Sequence, residues 1–260
     1  MSVGASIIRG RGARSRRGGV PTALLPATDL RPPRGQLTLL HDEPSTDRPV
    51  SEPLPGVVHI PGWLDMDAQT ALVEQFRTWA LPPAGLRHPR MPTGSLMSVQ
   101  SVCLGWHWAP YSYTRTADDT DGAPVKAMPA DLVAMARHAV AAAYGAGSPD
   151  ARSYEPDAAL VNLYAPGAKL GLHQDAEEIA DAPVVTISIG DTCTFRLAAV
   201  DRRVGPFVDV ELRSGDLLVF GRGNRRIFHG VPKVADGTAP PGTGLPPGRL
   251  SITVRQTGLA

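Results

Sequence analysis

The stretch from residue 162 to residue 178, NLYAPGAKLGLHQDAEE, is the part of the chain that best predicts its fold and its chemistry. It contains His173 and Asp175, two potential metal ligands separated by one residue. Successive side chains of a β-strand alternate between its two faces, so residues i and i+2 point the same way. The spacing therefore predicts that His173 and Asp175 reach one ion from one strand face.

A third ligand is offered by His229, in the downstream stretch RIFHG. Two histidines and one carboxylate around an ion with open positions form the facial triad of non-haem Fe(II) oxygenases. A histidine and an aspartate one residue apart are weak evidence by themselves. A metal site therefore requires supporting residues elsewhere in the chain.

Composition places wide bounds on the answer. The 260 residues are enough for one large or two small domains, and the net charge of +1 does not indicate a nucleic-acid partner. The only two cysteines, Cys103 and Cys193, lack CxxC spacing, which favours a reducing cytoplasm. No run of about 18 apolar residues predicts a membrane span, and no apolar stretch near the start resembles a secretory leader.

Residues 1–50 are predicted to be a disordered tail rich in basic residues, proline and glycine. Positions 1–35 hold seven arginines and a single acidic residue, Asp29. Such a segment buries too little apolar surface to offset its ordering entropy. A solvated tail is the simpler interpretation, and a basic arm that contacts phosphates is the alternative.

The ordered part is predicted to be mainly β, with two helices before most of the strands. Helices are expected over residues 66–80, with Asp65 as N-cap, and over residues 130–144. After Pro156 the pattern changes to short strands with turn signals every 8–12 residues. About eight such strands predict a jelly-roll, also called a double-stranded β-helix.

Aromatic residues concentrate in residues 98–115, which are predicted to form a strand pair. Trp106, Trp108, Tyr111 and Tyr113 fall within eight residues. Trp106 and Trp108 would share a strand face. They could form a platform that stacks an unpaired base, or they could be ordinary strand packing, because aromatic residues favour strands.

The last predicted strand carries a polar face. Arg249, Ser251, Thr253 and Arg255 alternate there with apolar residues. If this face lines a barrel interior, its arginines need an anion, and a dicarboxylate such as 2-oxoglutarate supplies one because arginine binds carboxylates bidentately.

From about Trp106 to Gln256 the chain resembles the AlkB family of Fe(II)/2-oxoglutarate dioxygenases, close to the bacterial DNA-repair members. The matching pieces occur in the family's order and spacing: NLYAPGAKLGLHQDAEE, PVVTISIGDTCTFRL, SGDLLVFGRGNRRIFHGV and RLSITVRQ. The resemblance implies a double-stranded β-helix core over residues 151–260. It also implies an N-terminal extension with a helix-containing nucleotide-recognition lid over residues 51–150.

The resemblance also implies a role for individual residues. The iron ligands would be His173, Asp175 and His229. The residues that contact 2-oxoglutarate would be Asn162, Tyr164, Arg249, Ser251 and Arg255. The residues that contact the alkylated base or its backbone would be Trp106, Tyr111, Leu160, Glu177 and Arg202.

Two residues depart from the family pattern. Ser251 stands where the family's RxNxTxR strand has asparagine, so a hydrogen bond to the co-substrate could be lost. Glu177 stands where aspartate is more typical, which could alter substrate preference. Neither change touches the predicted metal ligands.

The activity implied is oxidative demethylation of 1-methyladenine and 3-methylcytosine, with Fe(II), 2-oxoglutarate and O2, releasing formaldehyde, succinate and CO2. The partner would be single- or double-stranded DNA, with RNA left open, and the protein would be a cytoplasmic monomer. One alternative is a dioxygenase of the same fold that hydroxylates a metabolite, lipid or protein. Another is a non-catalytic cupin-like module, which three ligands rather than four argue against.

Overall fold

The computed structural model describes residues 48–260, so the predicted tail, residues 1–50, lies outside the described residues except for its last three. The described chain is mainly β, with two facing sheets and two longer helices. The elements are β1 Ser51–Leu54, β2 Val57–Ile60, α1 Met66–Trp79, β3 Gln100–Leu104, β4 His107–Ala109, β5 Ser112–Thr114, α2 Ala130–Tyr144, α3 Pro149–Ser153, β6 Ala158–Tyr164, β7 Leu170–His173, β8 Val184–Gly190, β9 Cys193–Leu197, β10 Val208–Leu212, β11 Leu217–Phe220, a 3-10 turn Arg222–Asn224, β12 His229–Val234 and β13 Arg249–Arg255.

The larger sheet has seven strands in the order β1-β2-β11-β8-β13-β6-β3. One of its faces packs against α1 and α2, with Leu72, Met135, Ile187 and Ile252 in the shared core. Both faces of its central strands are buried. A strand covered on both faces needs few polar residues, which explains the apolar run VVTISIG of β8.

The smaller sheet has four strands in the order β10-β9-β12-β7. Side chains from both sheets form a second core, to which Phe195 and Leu212 contribute from the smaller sheet and Tyr164 and Phe220 from the larger. Two antiparallel sheets around one core agree with the predicted jelly-roll. The functional residues described below project into the space between these sheets.

The helix predictions are confirmed closely. The Asp65 side chain accepts a hydrogen bond from the Ala68 amide at 2.8 Å, so it caps α1 as expected, and α2 has the predicted bounds. The short helix α3 was not predicted. Ser148 caps it, and Pro149 occupies its first turn, where the missing N–H costs nothing.

The prediction of one strand pair over residues 98–115 is wrong. β3 pairs with β6 at the edge of the larger sheet, and β4 and β5 form a separate two-stranded hairpin. Gly105 makes the break between them with a φ of 75°. A Cβ at this position would lie 1.9 Å from the Asp157 carbonyl oxygen, so only glycine fits.

Strands from residues 51–150 and from residues 151–260 share the larger sheet. β1 and β2 extend one end of this sheet and β3 closes the other. The two segments are therefore built into one fold, and residue 150 marks no break between sheets. Among residues 48–260, no helix is both long and apolar enough to cross a membrane.

Candidate active site

Two strands of the smaller sheet bring the predicted metal ligands together. His173 ends β7 and His229 begins β12, and the two residues are direct partners in the antiparallel pairing. Opposite residues of an antiparallel pair project to the same face. Gly230 allows the close approach of the two strands, since a Cβ there would lie 2.7 Å from the Leu170 carbonyl oxygen.

Asp175 completes the group, although it lies two residues beyond the end of β7 and not on the strand as predicted. Its Oδ1 is 3.6 Å from His173 Nε2 and 3.9 Å from His229 Nε2. One ligand atom from each of the three residues lies within 4.8 Å of the others. The three side chains could therefore hold one ion and leave further coordination positions open.

Backbone carbonyls orient both imidazoles. His173 Nδ1 lies 3.0 Å from the Gly171 oxygen, and His229 Nδ1 lies 3.0 Å from the Ile227 oxygen. A carbonyl accepts a hydrogen bond, so the proton of each neutral ring sits on Nδ1. Each Nε2 then keeps its lone pair for a metal, as is usual for metal-binding histidines.

The protonation states also suit a metal. Burial would raise the pKa of Asp175, but Arg255 and the two histidines lower it to about 2. Burial, with the neighbouring His173, lowers the pKa of His229 to about 4. At neutral pH the group therefore offers a carboxylate and a neutral imidazole.

One orphaned atom shows that the site fits a cation. Asp175 is buried, and its Oδ2 has no hydrogen-bond partner among residues 48–260. Leaving a buried carboxylate oxygen unpaired is costly. A divalent cation bound by two histidines and this carboxylate would satisfy the oxygen, and the mixed N/O donor set suits Fe(II).

Arg255 bonds to the metal ligand Asp175 and to two further residues. Its Nη2 donates to Asp175 Oδ1 at 2.7 Å, and its Nη1 donates to Glu178 Oε1 at 3.0 Å and to the Tyr113 hydroxyl at 2.9 Å. Tyr113 in turn donates to Glu178 Oε1 at 2.6 Å. Since Tyr113 belongs to the β4–β5 hairpin, this network joins the hairpin to the iron end of the site.

Sequence reasoning missed the roles of Glu178 and Tyr113. Glu178 is buried and also receives Arg225 Nη2 at 3.2 Å, so it neutralises two arginines. Both missed residues lie beside predicted ones: Glu178 follows Glu177, and Tyr113 is two residues from Tyr111. Glu178 is close to Asp175 in sequence. A search for acidic partners of Arg255 near the predicted metal ligands could therefore have found it.

Arg249 lies at the other end of β13, and the polar face of this strand is buried as the barrel hypothesis requires. Its Nε donates to Ser188 Oγ at 2.9 Å and its Nη2 to Ser251 Oγ at 3.3 Å. Nη1 has no partner within the described chain, and the guanidinium carbon is 5.1 Å from the centre of the Tyr164 ring. A fully buried cation with an unused donor fits a carboxylate ligand.

Tyr164 and Asn162 flank this region from β6, which pairs with β13. Burial raises the pKa of Tyr164 to about 12, so its hydroxyl stays protonated and can donate. Asn162 is half-buried, and its Oδ1 accepts a hydrogen bond from Ser101 Oγ at 2.5 Å. That bond leaves the Asn162 amide nitrogen available as a donor.

A cavity of about 520 Å³ opens above the metal ligands. Five of the residues predicted to contact co-substrate or base line it, and so does Trp108, which the sequence left unassigned. The lining includes Trp108, Tyr111, Leu160, Asn162, His173, Asp175, Glu177 and Arg255. Tyr111 stands at the mouth with 71% of its surface exposed. The wall is mostly apolar, with carboxylates at the bottom and one side, which suits a flat cationic ring.

Trp106, which is predicted to contact the base, lies away from the cavity in the structure. This side chain is 6% exposed and does not line the cavity. Its indole N–H donates to Asp157 Oδ2 at 3.0 Å, and the Arg115 guanidinium lies 3.3 Å from the ring centre. The turn at Gly105 places Trp106 before β4, so it does not share a strand face with Trp108, and Trp108 turns to the cavity instead.

Arg202, which is predicted to contact the nucleic-acid backbone, also lies away from the cavity. Arg202 is exposed on an irregular loop and does not line the cavity, whereas its neighbour Arg203 does. Arg203 Nη2 donates to the Leu172 carbonyl at 2.5 Å, and its guanidinium carbon is 5.8 Å from the centre of the Phe228 ring. A loop has no fixed side-chain period, so the sequence could not distinguish these two arginines.

Comparisons with known proteins agree with this geometry. The family model of the 2OG-Fe(II) oxygenase superfamily matches residues 56–255. An AlkB homolog of Caulobacter vibrioides, described as an alpha-ketoglutarate-dependent dioxygenase, is 36% identical over 81% of this chain and 93% of its own. AlkB of Escherichia coli is 36% identical over 64% of this chain and 75% of its own.

Proteins named ALKBH1 are similar as well. The DNA N(6)-methyladenine demethylase ALKBH1D of Arabidopsis thaliana is 33% identical over 77% of this chain, which spans about half (49%) of the relative's length. A solved structure of OsALKBH1 superposes with a TM-score of 0.71 at 33% identity, covering 80% of this chain and all of the other (100%). The mainly β jelly-roll prediction is thereby confirmed.

Proposed function

The chain belongs to the AlkB family of Fe(II)- and 2-oxoglutarate-dependent dioxygenases, and we propose that it is an oxidative demethylase that repairs N-alkylated bases in nucleic acid. The observation that carries the proposal is the triad of His173, Asp175 and His229 beneath an aromatic-walled cavity that is open to solvent. An enzyme that oxidises a base substituent needs a cation site and a base-sized cavity in contact with each other.

The triad residues would hold Fe(II), and β13 with β6 would hold 2-oxoglutarate. Bound together, iron and co-substrate would supply the activation of O2 for oxidation of a C–H bond. Arg255 holds Asp175 in place at the iron end, so we assign the other end of the co-substrate to Arg249, Tyr164 and Ser251. Ser251 is too short to replace asparagine directly, but its hydroxyl accepts a bond from Arg249 and so helps to fix the guanidinium.

The cavity wall would bind the alkylated base. An N1-methyladenine or N3-methylcytosine ring carries positive charge, which the face of Trp108 and the carboxylate of Glu177 would attract. Leu160 would cover the buried edge of the ring. A methyl group on a Watson–Crick nitrogen also prevents normal pairing, so turning such a base out of a duplex costs less than turning out an intact one.

The rim of the cavity suits a polyanion. Lys169 and Arg203 line it, and His88 and Arg90 are exposed on the neighbouring loop. Cations at the mouth of a site that admits one base would contact the flanking phosphates. The chain as a whole is nearly neutral, so this attraction is local.

The rim and the aromatic wall disfavour the two alternatives. A dioxygenase that acts on a small metabolite does not need cationic side chains around an open cavity. A structural metal site is normally closed by a fourth protein ligand. Arabidopsis ALKBH1D and abh1 of Schizosaccharomyces pombe are described as a DNA and a tRNA demethylase, which supports a nucleic-acid substrate of either type. We further propose a monomer that works in the cytoplasm, where Cys103 and Cys193 would stay reduced.

A substrate panel tests the proposal. The iron-loaded protein would be incubated with 2-oxoglutarate and oligonucleotides that carry 1-methyladenine, 3-methylcytosine or N6-methyladenine, each in single-stranded DNA, duplex DNA and RNA. Mass spectrometry would follow the loss of one methyl group. Demethylation of at least one oligonucleotide that stops in the His173→Ala variant supports the proposal, and inert oligonucleotides alongside steady 2-oxoglutarate consumption would refute it.

A further inference from the structure

A cluster of polar side chains lies behind Trp108, outside the metal and co-substrate sites. It consists of Arg87, Cys103, His107 and Asp119, and we refer to it as the Arg87 cluster. Arg87, Cys103 and His107 are each less than a tenth exposed. Arg87 Nε donates to both carboxylate oxygens of Asp119, at 2.8 and 3.0 Å. His107 Nε2 lies 2.6 Å from Asp119 Oδ1.

Two members of the Arg87 cluster form hydrogen bonds with the backbone of Trp108, one at its carbonyl and one at its amide. Arg87 Nη2 donates to the Trp108 carbonyl oxygen. The Trp108 amide donates to Cys103 Sγ at 3.4 Å. Arg87 Nη1 donates to the Ser101 carbonyl at 3.0 Å, so one guanidinium ties Trp108 to strand β3 of the larger sheet.

The hairpin that carries Trp108 needs such an anchor. β4 and β5 have three residues each and, within residues 48–260, pair only with one another. An isolated two-stranded hairpin is marginally stable in water. A buried arginine is retained only when its charge and donors are satisfied, and Asp119 supplies the charge while three backbone or sulfur acceptors take the remaining donors.

We propose that Arg87 and Asp119 are positioning residues that fix the Trp108 ring against the target base. The inference rests on the proposed function, because it assigns a purpose to the place of Trp108 in the base cavity. Arg87 touches neither iron, co-substrate nor base. It acts by restricting the positions that the Trp108 indole ring can adopt. A preorganised stacking surface binds a base more tightly than a mobile one.

Binding discrimination tests the proposal. We define it as the Kd of an unmethylated oligonucleotide divided by the Kd of the same oligonucleotide with one 3-methylcytosine. It would be measured by fluorescence anisotropy without O2, with Mn(II) in place of iron. Arg87→Lys keeps the charge but cannot hold Asp119 and Trp108 together. We expect it to reduce discrimination roughly tenfold, the equivalent of one charge-assisted hydrogen bond.

A double-mutant cycle separates positioning from a general effect. If Arg87 acts through the indole, Arg87→Lys should change discrimination by less than about twofold in a Trp108→Ala background, because interacting residues are non-additive. The matched control is Arg213→Lys. Arg213 is exposed, does not line the cavity and donates to Glu211, so discrimination should remain that of the wild type.

Each outcome decides a different claim. Equal losses in both backgrounds, or no loss with Trp108 present, would overturn the positioning role alone. A wild-type protein that does not distinguish the 3-methylcytosine oligonucleotide would overturn this inference, and the proposed function fails separately if no methylated oligonucleotide of the panel loses its methyl group. If Arg87→Lys does not fold, Asp119→Asn takes its place in the same cycle, with the same result expected and the same results overturning the role.

Discussion

The unused donor of Arg249 gives the sharpest prediction about co-substrate binding. Arg249 is fully buried, two of its nitrogens bond to Ser188 and Ser251, and Nη1 has no partner within residues 48–260. Arg249→Lys keeps a positive charge in the same place. It removes the planar fork, so the ammonium cannot satisfy both serines and a carboxylate in the same geometry.

The size of the effect follows from the bond that is lost. A hydrogen bond to a charged group contributes roughly 1.5–3 kcal/mol, and each 1.4 kcal/mol is a tenfold change in Kd. Loss of one such bond should therefore weaken 2-oxoglutarate binding by about 10- to 150-fold. The affinity for Mn(II) alone should not change, because Arg249 has no hydrogen bond to the triad.

Isothermal titration calorimetry with Mn(II) and no O2 would measure the two affinities. The informative comparison ligand is 2-oxobutanoate, which lacks the second carboxylate of 2-oxoglutarate. If Arg249 binds that carboxylate, the wild type and Arg249→Lys should bind 2-oxobutanoate equally. Arg213→Lys is the control, since Arg213 is exposed and bonds to Glu211. A 2-oxoglutarate Kd within threefold of wild type in Arg249→Lys would refute the assignment.

Three further substitutions test other parts of the account. Asp175→Asn removes the only anionic metal ligand and should lower Mn(II) affinity by at least about 100-fold, as an electron paramagnetic resonance titration would show; unchanged affinity would rule out the metal site. Tyr113→Phe removes a hydroxyl that bonds to both Glu178 and Arg255 and should raise the KM for 2-oxoglutarate about fivefold, equivalent to about 1 kcal/mol; a KM equal to that of wild type would mean that the hairpin is not coupled to the iron end. Burial would raise the pKa of Asp216, but hydrogen bonds from His59, Arg48 and two backbone amides lower it to about 2. The ionised carboxylate therefore stabilises the fold above about pH 4 by about 2 kcal/mol. This contribution is lost as the pH falls through 2. Asp216→Asn should lower the free energy of urea unfolding at pH 7 by at least that amount and leave a flatter pH dependence between 4 and 2, and an unchanged pH dependence would contradict the assignment.

Patterns with a fixed period were predictable from sequence. The alternation of β13 gave the polar face with Arg249 and Arg255, and the resemblance to a known family supplied the three ligands. Helix α1 was predictable because Asp65 and the apolar spacing mark its start locally. For β13 and α1 the relevant contact is near in sequence or repeats regularly, whereas His229 lies far from His173 in sequence and was supported by the family resemblance.

Positions that depend on a turn were not predictable. Gly105, with its positive φ, ends β3 just before Trp106, so Trp106 precedes β4 while Trp108 lies within it and lines the cavity. On the loop near Arg203, side chains follow no regular period, so the sequence could not show that Arg203, rather than the predicted Arg202, lines the cavity. The network of Arg87 and Asp119 joins residues 32 positions apart. Such long-range pairing of charged residues leaves no signal in a single sequence.

The central claim is that the site held together by the triad supports oxidation of a methyl group on a nucleic-acid base, with 2-oxoglutarate converted to succinate in the same reaction. The most direct measurement is the stoichiometry of one reaction: formaldehyde, succinate and unmethylated base formed from a 3-methylcytosine oligonucleotide with Fe(II) and O2. We predict a 1:1:1 ratio, with no product when O2 or Fe(II) is left out or when Asp175 is replaced by Asn. Succinate formed without formaldehyde or unmethylated base across every methylated oligonucleotide would contradict the account.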